Sequence, residues 1–257
     1  PYSGYQAIGT KTGDQYNQLN ENVLQSEAEF YSTIRAKRVP GKGENFLACL
    51  KSKGVEYIEV RLLDLDPFEP IGISRSTVRF LDAFLLYCLL SESPAHDDQR
   101  CAEVKQNLTT AVHEGRKPGI SLSDNGESLE LANWAQDLLN GIKPIAELLD
   151  QKLNSDEHTA SLALQQSKVN DSSKTPSARI LNAMEQESIP FFRFAMNQSI
   201  KHRTQHQSQP LTQAEQQEFA DLARQSIEAQ QSIESQPSTD FEHYLADIMA
   251  AYQPLAG

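Results

Sequence analysis

From Tyr57 to Leu62 the stretch VEYIEVRLL (55–63) alternates polar and apolar residues, and this constrains the fold more than any other feature of the chain. On a strand, a period of two sets Ile58, Val60 and Leu62 on one face and Tyr57, Glu59 and Arg61 on the other. Such a strand needs a partner strand and an apolar layer against its greasy face, so the chain must contain sheet. The DLDPFEPIG segment that follows carries Pro67, Pro70 and Gly72, which break regular structure and give a shaped connection. Residues 15–31, QYNQLNENVLQSEAEFY, end in a similar alternation. There Leu24, Ser26, Ala28 and Phe30 oppose Gln25, Glu27, Glu29 and Tyr31, which predicts another strand with a polar face.

Beyond these strands the period changes. Ser74 is an N-cap residue, and Val78, Leu81, Leu85 and Cys88, widened by Phe80, Phe84 and Tyr87, predict a helix to Leu90 that is buried against the sheet. Helical patterns return over 99–113 and 127–150, with a break expected at Gly141 and Pro144. Residues 151–176 are polar, VNDSSKTP reads as a loop, and a helix resumes near Ser177. KHRTQHQSQPL (201–211) is expected to be an exposed connection, and Thr212 and Glu215 have the spacing of a capping box ahead of a Gln/Glu-rich helix. A last helix from Thr239 or Asp240 would carry Phe241, Tyr244, Leu245, Ile248, Met249 and Tyr252 on one stripe, which needs a docking partner. The result is an α+β chain, strand-rich with one buried helix over 1–96 and helical over 97–257, with no 20–50-residue repeat.

Composition excludes several functions. Thirty-five acidic residues against 23 Lys and Arg leave a net charge of -12, which opposes a nucleic-acid surface. No apolar run reaches the roughly 20 residues of a membrane span and no signal segment opens the chain, so a cytoplasmic protein with no membrane contact is expected. Cys49, Cys88 and Cys101 lack zinc-site spacing and the density of a disulfide scaffold, and read as ordinary reduced residues. The chain opens on Pro1 with strand-like sequence soon after, which suggests a piece of something longer. His202 and His206 are four apart, but the Glu of an HExxH motif is missing. P-loop, Rossmann and GxSxG motifs are absent too, so an ATP site would have to be built on the sheet.

The strongest chemical signal is Glu59 with Arg61, roughly 6.5–7 Å apart along one face of a strand. A carboxylate is a hard ligand for Mg²⁺, and a guanidinium offers a planar fork to phosphate, a combination suited to phosphoryl transfer. A same-face salt bridge on a solvated sheet explains the spacing equally well. Glu27 and Glu29, beside Tyr31 and followed by Arg35, Lys37 and Arg38, could flank a cation or simply be balanced by those bases and water.

These segments resemble the proteobacterial glutamate–cysteine ligases. The matching stretches are NxNVLQxExExY (Asn20 to Tyr31), IRxKRV (Ile34 to Val39), GVEYIEVRLLDLDPFEPIG (Gly54 to Gly72) with VRFLDAF behind it, EGRKPG (Glu114 to Gly119) and SARIL (Ser177 to Leu181). They run from about residue 5 to 185, with little similarity beyond. The resemblance implies the C-terminal half of such an enzyme, with a glutamine-synthetase-like antiparallel sheet followed by a helical region. It also implies ATP-dependent joining of the L-glutamate γ-carboxylate to the L-cysteine amine through a γ-glutamyl phosphate, the first step of glutathione biosynthesis. By the same likeness Glu59 is a metal ligand, for Mg²⁺ with Mn²⁺ as the alternative, Arg61 contacts the transferred phosphoryl group of ATP, and Tyr31 lies in the cysteine pocket. The family's other metal ligands and most of its glutamate-binding residues belong to an N-terminal half missing from this sequence, so the chain alone is expected to be inactive. Some members form a disulfide from the position of Cys101 to a cysteine after KPG, where this chain reads GISLSDNGES. The competing readings are a non-catalytic acidic helical interaction module and a carboxylate–amine ligase for a different amino acid.

Overall fold

A computed structural model describes residues 1–41, 44–237 and 240–252. The chain is α+β and mostly helical, and it packs as two compact units: Pro1–Asp64 with Leu211–Gly257, and Leu65–Pro210.

The first unit opens with α1 (Ser3–Ile8) and a minimal hairpin of β1 (Lys11–Thr12) and β2 (Gln15–Tyr16). The strand expected to end at Tyr31 is not formed. Residues 17–26 turn repeatedly and Glu27–Glu29 make one 3₁₀ turn. The cause is side-chain competition for the backbone: the Gln25 carboxamide accepts the N–H groups of Leu19 and Asn20 at 2.7 and 3.1 Å and donates to the carbonyls of Asn20 and Asn22, both at 3.1 Å. Asn20 Nδ2 donates back to the Gln25 carbonyl at 2.8 Å, so the segment satisfies itself locally and joins no ladder.

The strand partner lies later in sequence. β3 (Ile34–Lys37) precedes α2 (Phe46–Lys53) and pairs antiparallel with β4 (Tyr57–Val60), in the register Ile34↔Val60, Arg35↔Glu59, Ala36↔Ile58 and Lys37↔Tyr57. The ladder continues where the Arg61 N–H donates to the Thr33 carbonyl at 2.8 Å. Asn45 caps α2 by accepting the Ala48 N–H, and Gly54 ends it at φ +74°, a conformation that favours glycine.

The second unit is helical. α3 (Arg75–Leu90) starts at Ser74, whose hydroxyl accepts the Thr77 N–H as the cap residue requires. α4 (Asp98–Glu114) leads into a hairpin of β5 (Ser121–Asp124) and β6 (Glu127–Glu130) turned by Asn125 and Gly126, both at positive φ. α5 (Leu131–Leu153) and α6 (Glu157–Asn170) then pack with α3 around Ala83, Leu139, Ile142, Ala146 and Leu162. The apolar face of α3 is therefore covered by helices, a correction to the expectation of sheet. Composition divides the chain near residue 96, whereas packing joins α3 to the helices that follow it.

α5 is unbroken. Pro144 lies inside it at an exposed position, so the carbonyl left without an N–H partner can face water. α6 occupies part of the polar stretch 151–176 that gave no helical signal. Its N-terminus is capped from the preceding helix: Asp150 accepts the N–H groups of His158 and Thr159, both at 2.9 Å. α7 (Pro176–Glu187) and α8 (Phe191–Gln207) complete the unit. α8 extends through most of the expected connection at 201–211, where half-buried His202 and exposed His206 donate from Nε2 to the carbonyls of Pro67 and Pro70 at 2.8 and 3.2 Å. The 65–72 segment is further held by Arg179, 4.3 Å from the centre of the Phe68 ring and 3.6 Å from Asp66, and by Phe68 against Phe194.

The chain returns to the first unit with α9 (Gln213–Glu234), which has the expected reciprocal Thr212–Glu215 capping box, and α10 (Phe241–Tyr252). The expected start of α10 at Thr239 lies outside the described residues. Its docking partner is the N-terminal segment: Phe241 meets Tyr16 edge to face, Glu242 accepts from Lys11 and Tyr16, and the Tyr252 hydroxyl donates to Glu27. Among the described residues no helix is long and apolar enough to cross a membrane.

Candidate functional site

β4 delivers Glu59 to the polar face of the β3–β4 ribbon, and Arg61 follows on the same side. Arg61 donates from Nε and Nη2 to the two Glu59 oxygens at 2.9 and 3.0 Å, a two-pronged ion pair. Arg35 stands directly opposite Glu59 in the register, and Lys37, two residues along on the same face, reaches the Glu59 carboxylate at 3.1 Å. Arg35 and Lys37 both lie over the Phe46 ring, at 5.1 and 5.6 Å, so α2 covers this end of the charged face. The Arg61 guanidinium sits 5.6 Å from the centre of the Tyr31 ring.

The electrostatics follow from this geometry. Hydrogen bonds from Arg61, and then Lys37, hold the Glu59 carboxyl at a pKa of about 2, and the same pair raises that of Arg61. Glu59 is thus an ionised oxygen donor at any physiological pH, half-exposed beside two cations that could equally hold phosphate oxygens. Sequence reasoning set Lys37 among the bases near Glu27 and Glu29 and not beside Glu59, though the two-residue spacing of Arg35 and Lys37 in IRxKRV was the signal for it.

Glu59 and Arg61 share one strand face, and Tyr31 reaches Arg61 from an irregular segment, a correction to the strand read for it. Glu27 and Glu29 do not share a face with a cation between them. Glu27 accepts from Tyr252, and Glu29 accepts the Gln25 N–H at 2.8 Å. Among the described residues no group of three or more His, Cys, Asp or Glu side chains is placed to hold a metal. His202 and His206 are engaged with backbone carbonyls, and Cys49, Cys88 and Cys101 are all free thiols. A single ionised carboxylate still suits Mg²⁺, which commonly takes one or two protein carboxylates and completes its shell with water and phosphate.

Comparison with known proteins adds an independent line. Residues 1–111 match the family model described as glutamate-cysteine ligase. The glutamate–cysteine ligase of Pseudomonas putida KT2440 is 44% identical over 251 residues, covering 98% of this chain and 48% of the relative. That of Bordetella parapertussis is 42% identical over 252 residues, again 98% of this chain and 48% of the relative. A crystal structure of glutamate–cysteine ligase from Francisella tularensis in complex with AMP superimposes with a TM-score of 0.87 at 31% identity, covering 98% of this chain and 50% of that one. Similarity therefore continues past residue 185, where the motifs had faded. The chain spans about half the length of the curated relatives it matches.

Proposed function

From the premise that this chain belongs to the glutamate–cysteine ligase family, we propose that it supplies part of the site where ATP drives the joining of the L-glutamate γ-carboxylate to the L-cysteine amine, the first step of glutathione biosynthesis. The observation that carries this reading is the Glu59–Arg61 pair, ionised, half-exposed and flanked by Lys37 on one face of the ribbon. In the reaction the glutamate γ-carboxylate attacks the γ-phosphorus of ATP and ADP leaves; the cysteine amine then attacks the acyl phosphate and expels phosphate. Both steps depend on positioning and on neutralising charge that moves between oxygens.

Arg61 and Lys37 would bind the transferring phosphoryl oxygens, Arg61 through its planar fork and Lys37 as a point charge. Glu59 would hold Mg²⁺, or Mn²⁺ in its place, which when bound neutralises phosphate charge. Tyr31, stacked beneath Arg61, would form a wall of the cysteine pocket. AMP in the Francisella relative supports adenine nucleotide as a ligand of the family. The remaining glutamate-binding and metal-binding groups are assigned to polypeptide outside this chain, in keeping with its coverage of half the relatives, and the chain alone is expected to be inactive. We place the reaction in the cytoplasm, where ATP is made and free thiols such as Cys88 and Cys101 stay reduced.

The test is Glu59→Gln in the complete enzyme, assayed as cysteine-dependent phosphate release. Turnover should fall at least a thousandfold while circular dichroism shows the fold retained, a magnitude on the order of losing both a metal ligand and charge stabilisation. Wild-type turnover would reject the assignment. Assays with cysteine analogues lacking the thiol separate a cysteine ligase from a ligase for another amino acid.

A further inference from the structure

The second unit contains a cavity of about 620 Å³ bounded by α3, α5, α6 and the turn Gly115–Ile120. That volume is in the range of small-molecule sites. Its floor is apolar, formed by Phe80, Leu138, Leu139, Ile142 and Val169, and it opens at the edge of the helical core. Phe80 and Phe84, stacked 5.7 Å apart with their rings 6° from parallel, both contribute to its wall. This is a surface suited to a flat or aromatic body.

The rim has the opposite charge balance to the chain. With a net charge of -12, an arbitrary concavity should be acidic. Here Arg116, Lys117 and Lys168 line the opening against Glu130 alone. Lys117 is paired with Glu114 at 2.9 Å, and Glu130 accepts from Asn133 at 3.0 Å. Among the described residues neither Arg116 nor Lys168 makes a hydrogen bond or close ion pair with a carboxylate, and Lys168 donates to the Gln165 side-chain amide oxygen at 3.0 Å. Burial pushes the Lys168 ammonium below its usual pKa, with the charge on Asp66 opposing that fall and that on Arg179 reinforcing it. A partly buried cation beside an apolar cavity is destabilised until an anion meets it. An incoming acid would meet two cations that no carboxylate bonds directly and lose little hydration on its apolar end.

We infer that this cavity binds a small anionic amphiphile: a flat apolar body seated on the floor against Phe80 and Phe84, with one carboxylate or phosphate-type head between Arg116 and Lys168. Glu59, Arg61 and Tyr31 belong to the first unit, and every residue lining the cavity belongs to the second.

The test titrates the full chain with 8-anilinonaphthalene-1-sulfonate, an aromatic anion that fluoresces in apolar sites, and with neutral N-phenyl-1-naphthylamine. The expected result is one saturable site that prefers the anion. The double variant Arg116→Gln/Lys168→Gln should weaken the anionic dye by about tenfold or more while keeping the neutral one. Ala135→Trp, which fills the cavity, should remove both; Leu131→Trp on the same wall serves if circular dichroism shows the first variant unfolded. Benzoate and phenyl phosphate, which share a flat ring, compete in separate arms, and the stronger competitor identifies the head group. Failure of both to displace the dye, or unchanged anion binding in the double variant or a folded Trp variant, overturns the proposal.

Discussion

At Glu59 the local chemistry is set by two donors that a strand register brings to one carboxylate. Arg61 can reach both oxygens because its guanidinium is a rigid fork; lysine at the same position would keep the charge and lose one of the two bonds. Arg61→Lys should therefore raise the Glu59 pKa from about 2 toward its ordinary value of 4.5, read from the carboxyl carbon shift in a pH titration. An unmoved pKa would mean that Lys37 alone holds the charge. Because the folded pKa is depressed, the pair's contribution is complete above the ordinary carboxylate range and is lost as pH falls from 4.5 toward 2. Neutral pH leaves it untouched. That Glu59 and Arg61 share a face was legible from alternation; Tyr31 entered the site only through its motif, and the strand read for it is not formed. The place of Lys37 beside Glu59 was not legible, since its role depends on which strand pairs with β4, and that choice is not written in either segment alone.

Elements were legible where their signals are local. Ser74 and the Thr212–Glu215 pair announce helix starts because an N-cap acts within three residues, and both work in the structure as their spacing demands. The Asn125-Gly126 turn of the β5–β6 hairpin carried an equally local signal that was passed over, and β6 after it was read as the start of the helix expected over 127–150. The expected break in α5 misjudged two residues that play different parts. Gly141 is close to Tyr87: a Cβ there would lie 2.7 Å from the Tyr87 ring, so the glycine admits an aromatic side chain against the helix. Gly141→Ala should destabilise by roughly 1 kcal/mol, overpacking outweighing the gain in helix propensity. Pro144, at an exposed position inside the helix, should behave the other way. Pro144→Ala restores an intrahelical hydrogen bond and should stabilise by roughly 1–2 kcal/mol after allowing for greater freedom of the unfolded chain. Thermal unfolding followed by circular dichroism checks both, and shifts of the same sign would refute this division of roles.

For the whole molecule, what escaped the sequence is what joins one element to another. α6 gave no helical signal because its first turn is capped by a residue of a different helix. The Asp150 carboxylate, only 6% exposed, accepts from the Ser155 hydroxyl, the His158 N–H and Nδ1–H, and the Thr159 N–H and hydroxyl, at 2.7–3.0 Å. This cluster ties α6 to α5 beside the core, while Arg79 ties it to α3 through Glu157 at 2.8 Å. Burial by itself would push the Asp150 carboxyl up, yet the donors from Thr159 and His158 together hold it well below the usual carboxylate range. Asp150→Asn keeps the volume but turns one acceptor into a donor that faces other donors. It should cost the second unit about 2–3 kcal/mol, with a fall in melting temperature on the order of 5–10 °C. The single tryptophan, Trp134 on α5, reports that unit by fluorescence. A carboxyl depressed in the folded state contributes fully above its unfolded pKa and loses that contribution as pH falls through the folded value. The gap between wild type and Asp150→Asn should then stay constant from pH 7 to about 5 and close below about 4 as wild type loses its advantage. A gap that is already small at neutral pH, or that survives acid unchanged, would show that shape alone, without the carboxylate's charge, holds the two helices together.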